Sequence, residues 1–211
     1  MKILAILVAA ASAAAVPFSI TPPTNPAPFA SISPQDKQPS PQDMAEMMAK
    51  MAKFTQPGKA HELLQRFLGE WETSTQITMG GQASAAEKGV ASFEWLMKGR
   101  WIKSSLKGKV MGMPMESFQI LGYDNFKQSY VSTVVGTMDT AMLRSEGDVT
   151  RDGKVLITYG TLDEYLTGEH DKMVKYVWRF VSDDEIVHEV HDLPIGEENT
   201  QVVRVRFVRK K

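Results

Sequence analysis

The chain has 211 residues, with 24 Lys plus Arg against 25 Asp plus Glu and a formal net charge of −1. So even a balance supplies no cationic excess for a nucleic-acid or anionic-membrane partner. Cysteine is absent, which excludes disulfides, iron–sulfur clusters, thiolate zinc sites and cysteine nucleophiles together.

At the N-terminus Lys2 precedes an apolar run from Ile3 to about Ala11, followed by small residues through Ala13, Ala14 and Ala15. That three-part pattern is a secretory signal peptide over residues 1–15, with cleavage expected after Ala15. A spanning helix needs about 20 apolar residues, whereas Pro17, Pro22 and Pro23 interrupt this run. No stable membrane span is therefore expected after cleavage. An exported chain without cysteine suits a secreted or periplasmic place in a bacterium better than a eukaryotic secretory route.

Eight of the eleven prolines fall between Pro17 and Pro41. Mixed with Ser, Thr, Asn and Gln, they make residues 16–42 an extended, disordered linker that buries too little apolar surface to offset its ordering entropy. A helical segment follows over 43–68. Met44, Met47, Met48, Met51 and Phe54 recur at three- and four-residue steps, placing an apolar stripe on one helix face. The expectation is that this face packs on its own domain; the alternative is an adaptable docking surface for a protein partner of unknown identity. Pro57-Gly58 ends this helix, and a second short one runs from His61 to Leu68.

From Gly69 the apolar period falls to two and stays there to the end of the chain. Ten segments read as strands: Trp71–Met79, Ala91–Met97, Trp101–Leu106, Met115–Leu121, Ser129–Val135, Ala141–Glu146, Val155–Tyr159, Met173–Val181, Glu185–Val190 and Gln201–Val208. The breaks between them carry turn chemistry, such as Gly80-Gly81, Lys98-Gly99, Arg151-Asp152-Gly153 and Ser182-Asp183-Asp184. So many short strands with no intervening helix imply an antiparallel meander, which removes its open edges by closing. The fold class is thus mainly β: an antiparallel up-and-down β-barrel of about ten strands over 69–211, with short N-terminal helices.

The segment Leu68-Gly69-Glu70-Trp71-Glu72 resembles the G-x-W opening of the first strand in lipocalin-like (calycin) barrels. The fuller set, PGKAHELLQRFLGEW from Pro57, MKGRWI at 97–102 and GMPMESFQILGYDNFKQSYVSTVVGTM at 112–138, is similar to the exported proteins grouped as the domain of unknown function 1579 family. The resemblance implies a lipocalin-like barrel and brings no established activity. It also implies structural roles for Gly69 and Trp71, with Trp71 on the barrel floor under an arginine of the last strand. Arg204 or Arg206 is the expected partner.

An inward-facing wall suited to a ligand follows from strand alternation. Val174, Tyr176, Trp178 and Phe180 share one face, as do Phe126, Gln128, Tyr130, Ser132 and Val134, and Ile186 pairs in parity with His188 and Val190. Barrels of this strand number hold at most one small molecule. Parity and size select Trp101, Tyr130, Tyr176, Trp178 and His188 as ligand-binding candidates for a small hydrophobic or amphipathic molecule.

Chemistry beyond binding finds little footing. His188 and His191 are three apart, which sends them to opposite faces of a strand. His170 sits in a turn between Glu169 and Asp171, and His61 stands alone. A lone inward His188 has the chemistry to ligate a haem iron, but a satisfied core histidine is the commoner use, and no metal or cofactor is expected. Ser104-Ser105-Leu106-Lys107 spells S-x-x-K without S-D-N or K-T-G, and no G-x-S-x-G or H-E-x-x-H is present. No catalytic residue is therefore assigned, and the expectation leans against an enzyme. One working in the barrel would need a buried acid or base, and His188 is the best-placed group.

Overall fold

The structure, a computed structural model, describes residues 40–79, 81–164, 168–193 and 200–211. The chain divides into two compact units, Met1–Ser40 and Pro41–Lys211, and the second is described here. The expected signal peptide and nearly all of the expected Pro-rich linker lie outside the described residues.

The unit starts with a helix, α1 (Pro41–Thr55), followed by a 3-10 helix over Lys59–Arg66. Eleven strands come next: β1 (Gly69–Met79), β2 (Gln82–Ala83), β3 (Glu87–Met97), β4 (Trp101–Val110), β5 (Met113–Asp124), β6 (Ser129–Gly136), β7 (Leu143–Val149), β8 (Val155–Glu164), β9 (Glu169–Phe180), β10 (Glu185–Asp192) and β11 (Thr200–Arg209). Apart from the two-residue β2, which pairs only with the end of β1, each strand is antiparallel to its sequence neighbour. The ribbon closes where β1 pairs with β11 from Trp71↔Arg209 to Ile77↔Val203. The result is a closed ten-stranded antiparallel barrel, with no free edge along that seam.

Alternation fixes which side chains face in. On β11 the inward row is Val203, Val205, Phe207 and Arg209, while Arg204 and Arg206 are exposed. On β9 it is Val174, Tyr176, Trp178 and Phe180, with Lys175 and Arg179 on the opposite face. Inward residues near one end fuse into a dense core of Leu64, Phe67, Trp71, Phe93, Trp178, Phe180 and Phe207, all 5% exposed or less. The Phe67 ring, carried by the turn after the 3-10 helix, lies 5.5 Å from Phe93, 5.3 Å from Trp178 and 5.0 Å from Phe180. That helix is thus the barrel's floor.

The cation over Trp71 is Arg209, not Arg204 or Arg206. Its guanidinium carbon lies 4.1 Å from the Trp71 ring centroid. Its nitrogens donate to the carbonyls of Leu68 and, at 3.2 Å, of Arg66. Parity explains the correction: Arg204 and Arg206 share a face, but it is the outer one, where Arg206 makes a two-pronged ion pair with Glu185 at 2.7 and 2.9 Å. The same site explains Gly69. Its φ is +120°, which side chains rarely adopt, and a Cβ there would meet Nη1 of Arg209 at 2.7 Å. Trp71 is further held by its indole N–H, which donates to the Phe67 carbonyl at 2.8 Å.

The Met-bearing helix departs from its expected packing. None of its residues is buried, and Met44, Met47, Met48, Met51 and Phe54 are 42–62% exposed. It meets the barrel at its C-terminal end. There Phe54 lies 5.3 Å from Phe126, Asn125 donates to the Phe54 and Gln56 carbonyls, and Arg100 donates to that of Thr55. Of the stripe, Phe54 thus reaches the barrel, while Met44, Met47, Met48 and Met51 stay exposed.

Candidate functional site

Beyond the floor core the barrel is hollow. A cavity of about 400 Å³ fills its other half, lined by residues of all ten barrel strands. It opens at the end formed by the β4–β5 hairpin and the β6–β7 connection, where Val110, Met115, Met138 and Asp139 reach the lining. A cavity of about 150 Å³ accommodates benzene, so this one takes about 16 non-hydrogen atoms.

The two sides of the cavity differ chemically. Ile77, Val190, Val203, Val205 and Phe207 make an apolar wall from β1, β10 and β11. The facing wall, from β5 to β8, carries Ser117, Gln119, Ser132, Ser145 and Thr158. Three of these hydroxyls form a seam across neighbouring strands: Ser132 to Ser145 at 2.9 Å, and Ser145 to Thr158 at 2.9 Å. Neighbouring inward positions place the three hydroxyls within reach, because Ser132 is paired with Ser145 directly and Gly147 with Thr158 one step further.

Between the core and the hollow lies an aromatic ladder. His188 stacks on Trp178 with ring centroids 3.8 Å apart and planes 18° from parallel. Tyr176 lies parallel to the imidazole, within 7°, at 6.3 Å. Nδ1 of His188 sits 3.3 Å from the Val177 carbonyl. Burial, the largest influence, pushes the His188 pKa down to about 4, against smaller opposing effects of the Val177 carbonyl and Glu189. The imidazole is accordingly neutral at pH 7. Tyr176 is pushed up to about 12 by burial and, secondarily, by the Asp139 carboxylate at the mouth, so its phenol keeps its proton. That phenol oxygen is buried and has no hydrogen-bond partner among the described residues.

Of the five residues selected from sequence, the cavity brings together Tyr176, Trp178 and His188. Trp101 and Tyr130 are not among its lining. The inward row of β4 is Ile102, Ser104 and Leu106, so Trp101 faces outward, and its ring lies against Gly122 of β5, where a Cβ would come within 2.1 Å of it. Tyr130 does face inward but at the floor end, buried beside Tyr123 with centroids 4.9 Å apart. Its hydroxyl donates to the Ala60 carbonyl at 2.7 Å, tying down the 3-10 helix. Phe126, grouped with Tyr130 by parity, lies in the β5–β6 turn and is 79% exposed.

The other histidines sit apart from the cavity. Nδ1 of His61 accepts from the Gly58 N–H at 3.0 Å, and His170 meets Asp163 at 3.1 Å on the surface. His191 is on the outer side of β10, 3.6 Å from Glu189. Among the described residues no group of three His, Asp or Glu is placed to share a metal ion, and no helix is long and apolar enough to cross a membrane.

A one-ended antiparallel barrel, floored by a short helix and a Trp–Arg pair and hollow above, is the calycin-like architecture. The model of a family described as a protein of unknown function, DUF1579, matches residues 56–209, and the chain belongs to that family. No curated protein matches it in sequence. Among solved structures it is similar to Rv2717c from M. tuberculosis. The TM-score is 0.52 at 13% identity, over 73% of this chain and 99% of that one. A further similar structure is the S-type phycobiliprotein lyase CPES from Guillardia theta, with a TM-score of 0.49 at 9% identity over 71% and 92% of the two chains. The likeness to Rv2717c concerns the fold.

Proposed function

We propose that this barrel binds one small hydrophobic or amphipathic molecule in its cavity. The observation that carries the reading is the hollow of about 400 Å³ above a solidly packed floor. A chain that fills one half of its interior with rings at 5.0–5.5 Å has the means to fill the other half too. Instead the upper half is lined by small residues, Ser117, Ser132, Ser145 and Thr158, opposite an aliphatic wall. Concave, mainly apolar sites with a few convergent polar groups are the usual form of a small-molecule site. The signal-peptide pattern of residues 1–15 supports placing the protein outside the cytoplasm, and a mature N-terminus at Val16 in the secreted or periplasmic fraction checks that.

The test of binding uses N-phenyl-1-naphthylamine, a neutral fluorophore close to the cavity in size. A saturable 1:1 fluorescence enhancement is expected, lost when Val134→Trp fills the cavity without lowering the unfolding midpoint. Enhancement that is non-saturable, or that survives the filled cavity, sinks the reading. Native mass spectrometry and organic extraction of protein taken from its own source would then identify the resident molecule.

A second reading, a protein-interaction module, is favoured by the uncovered stripe of α1. Deleting Pro41–Thr55 should leave the barrel's unfolding midpoint unchanged if that helix serves something outside the barrel. A lowered midpoint makes it part of the core.

A further inference from the structure

Resting on the ligand-binding reading, we infer that the molecule held in the cavity is uncharged and presents a hydrogen-bond acceptor, a carbonyl or ether oxygen, to the Tyr176 hydroxyl, with its hydrocarbon part against Val190, Val203 and Val205. Three observations converge on this class.

The first is a surplus of donors. A buried phenol without a partner forfeits the hydrogen bond that it makes to water in the unfolded chain, which is why nearly all such groups are paired. Tyr176 lines the cavity, and its hydroxyl is shielded from solvent and has no hydrogen-bond partner among the described residues. The seam adds to it. Three hydroxyls joined by two bonds consume two of their three hydrogens, so one O–H of Ser132, Ser145 or Thr158 is not used within the seam. Thr158 is paired in register with Tyr176, which puts the seam's end and the phenol on adjacent strands of one wall. What the Tyr176 hydroxyl lacks is an acceptor.

The second is the absence of countercharge. Glu116 and Arg144 face outward on β5 and β7, and Glu116 is held by Lys107 at 3.0 Å. The ionisable groups that remain on the lining are His188, which is neutral, Tyr176, which is protonated, and Asp139 at the mouth. An ionised head drawn into such a cavity would lose its hydration with no opposite charge to replace it. A carboxylate would also meet the field of Asp139, which already acts on Tyr176.

The third is the division of the walls. The hydroxyls and amide of Ser117, Gln119, Ser132, Ser145 and Thr158 are gathered along β5–β8, beside Val134 and Leu143, whereas Ile77, Val190, Val203 and Val205 dominate the side of β1, β10 and β11, beside Thr75, so a molecule with oxygen on one edge and hydrocarbon on the other matches both at once. A pure hydrocarbon leaves the Tyr176 donor unmet.

The experiment is displacement of N-phenyl-1-naphthylamine from the full chain at pH 7.5 by 2-undecanone, dodecane and undecanoate, repeated with Tyr176→Phe. The ketone should compete best. Tyr176→Phe should weaken it about five-fold, the effect of one neutral hydrogen bond, and leave dodecane unchanged. The carbonyl stretch of bound carbon-13-labelled 2-undecanone should lie lower in the native protein than in the variant. Equal competition by ketone and alkane in the native protein, or equal weakening of both by the substitution, overturns the acceptor assignment while binding itself stands. Undecanoate competing best overturns the neutral class. If the fluorophore never binds at the cavity, the ligand-binding reading fails, and this inference with it.

Discussion

The two halves of the barrel are built from the same strands and do opposite things. At the floor, alternate residues are large and aromatic: Trp71, Phe93, Trp178, Phe180 and Phe207 interlock around Phe67, and the Trp71 indole, the Arg209 guanidinium and the Tyr130 hydroxyl are all paired. Toward the mouth the same inward rows turn to Ser, Thr, Val and Met, and the Tyr176 hydroxyl has no partner among the described residues. One strand shows the change over four inward positions, from Phe180 and Trp178 to Tyr176 and Val174. The difference teaches that stability and recognition are separated along the barrel axis. Substitutions should sort by height above the floor.

The largest effect is expected at the floor's centre. Phe67 is fully buried and touches three other aromatic residues, so Phe67→Ala should cost about 3–5 kcal/mol in urea unfolding. A loss below 1 kcal/mol would break the idea of a load concentrated there.

The pH dependence comes next. His188 has its pKa lowered from 6.5 to about 4 by burial, so the unfolded chain binds the proton more readily than the folded one. Stability is thus unaffected above about pH 6.5 and falls as pH drops toward 4, by about 3 kcal/mol in all. His188→Gln should flatten that limb of the stability–pH curve, and a parallel curve would show that other groups govern it.

A smaller loss, about 2–3 kcal/mol, is expected for Arg209→Ala. It removes the cation over Trp71 and leaves the Leu68 and Arg66 carbonyls without their donors. Arg206→Ala, on the outer face of the same strand, should barely move the midpoint. Equal effects would contradict the inward placement of Arg209.

The smallest effect, and one of opposite sign, belongs to the mouth. Met111 and Gly112 make a two-residue hairpin with φ of 53° and 78°. That is the turn geometry in which Asn-Gly is preferred. Met111→Asn should therefore leave stability unchanged or raise it by up to about 1 kcal/mol, since nothing packs on an exposed Met111. A clear destabilisation would show that the rim carries part of the fold.

The architecture was largely legible in the sequence because a sheet with one wet and one dry face writes itself as alternation. The ten segments from Trp71 onward correspond to the ten barrel strands, although β3 extends back through Glu87-Lys88-Gly89, which looks like a turn. The ladder of Tyr176, Trp178 and His188 was legible for the same reason. Trp101 was not: Trp101 and Ile102 are adjacent and both apolar, and a one-residue choice of parity sends one in and the other out. Arg209 was missed in the same way, three positions beyond Arg206 and therefore on the opposite face from the pair of arginines that seemed to fit. Tyr130 has the right parity but the wrong height, which depends on where the floor helix docks. The hydroxyl seam requires the registers of β6, β7 and β8 together, which no single strand reveals. The covering of α1 was beyond reach too, since an amphipathic stripe says that a face is apolar and not what meets it.

The seam between β1 and β11 has a consequence for how the molecule comes into being. Every other wall of the barrel joins strands adjacent in sequence and can form as a local hairpin, whereas Trp71 finds Arg209 across almost the whole domain. Contacts of such separation are entropically late. A growing chain can assemble the meander strand by strand, yet the stretch of β1 from Trp71 to Ile77 has no partner on its second side until β11 has been made. The floor is the first part of the barrel to be synthesised and the last to be sealed.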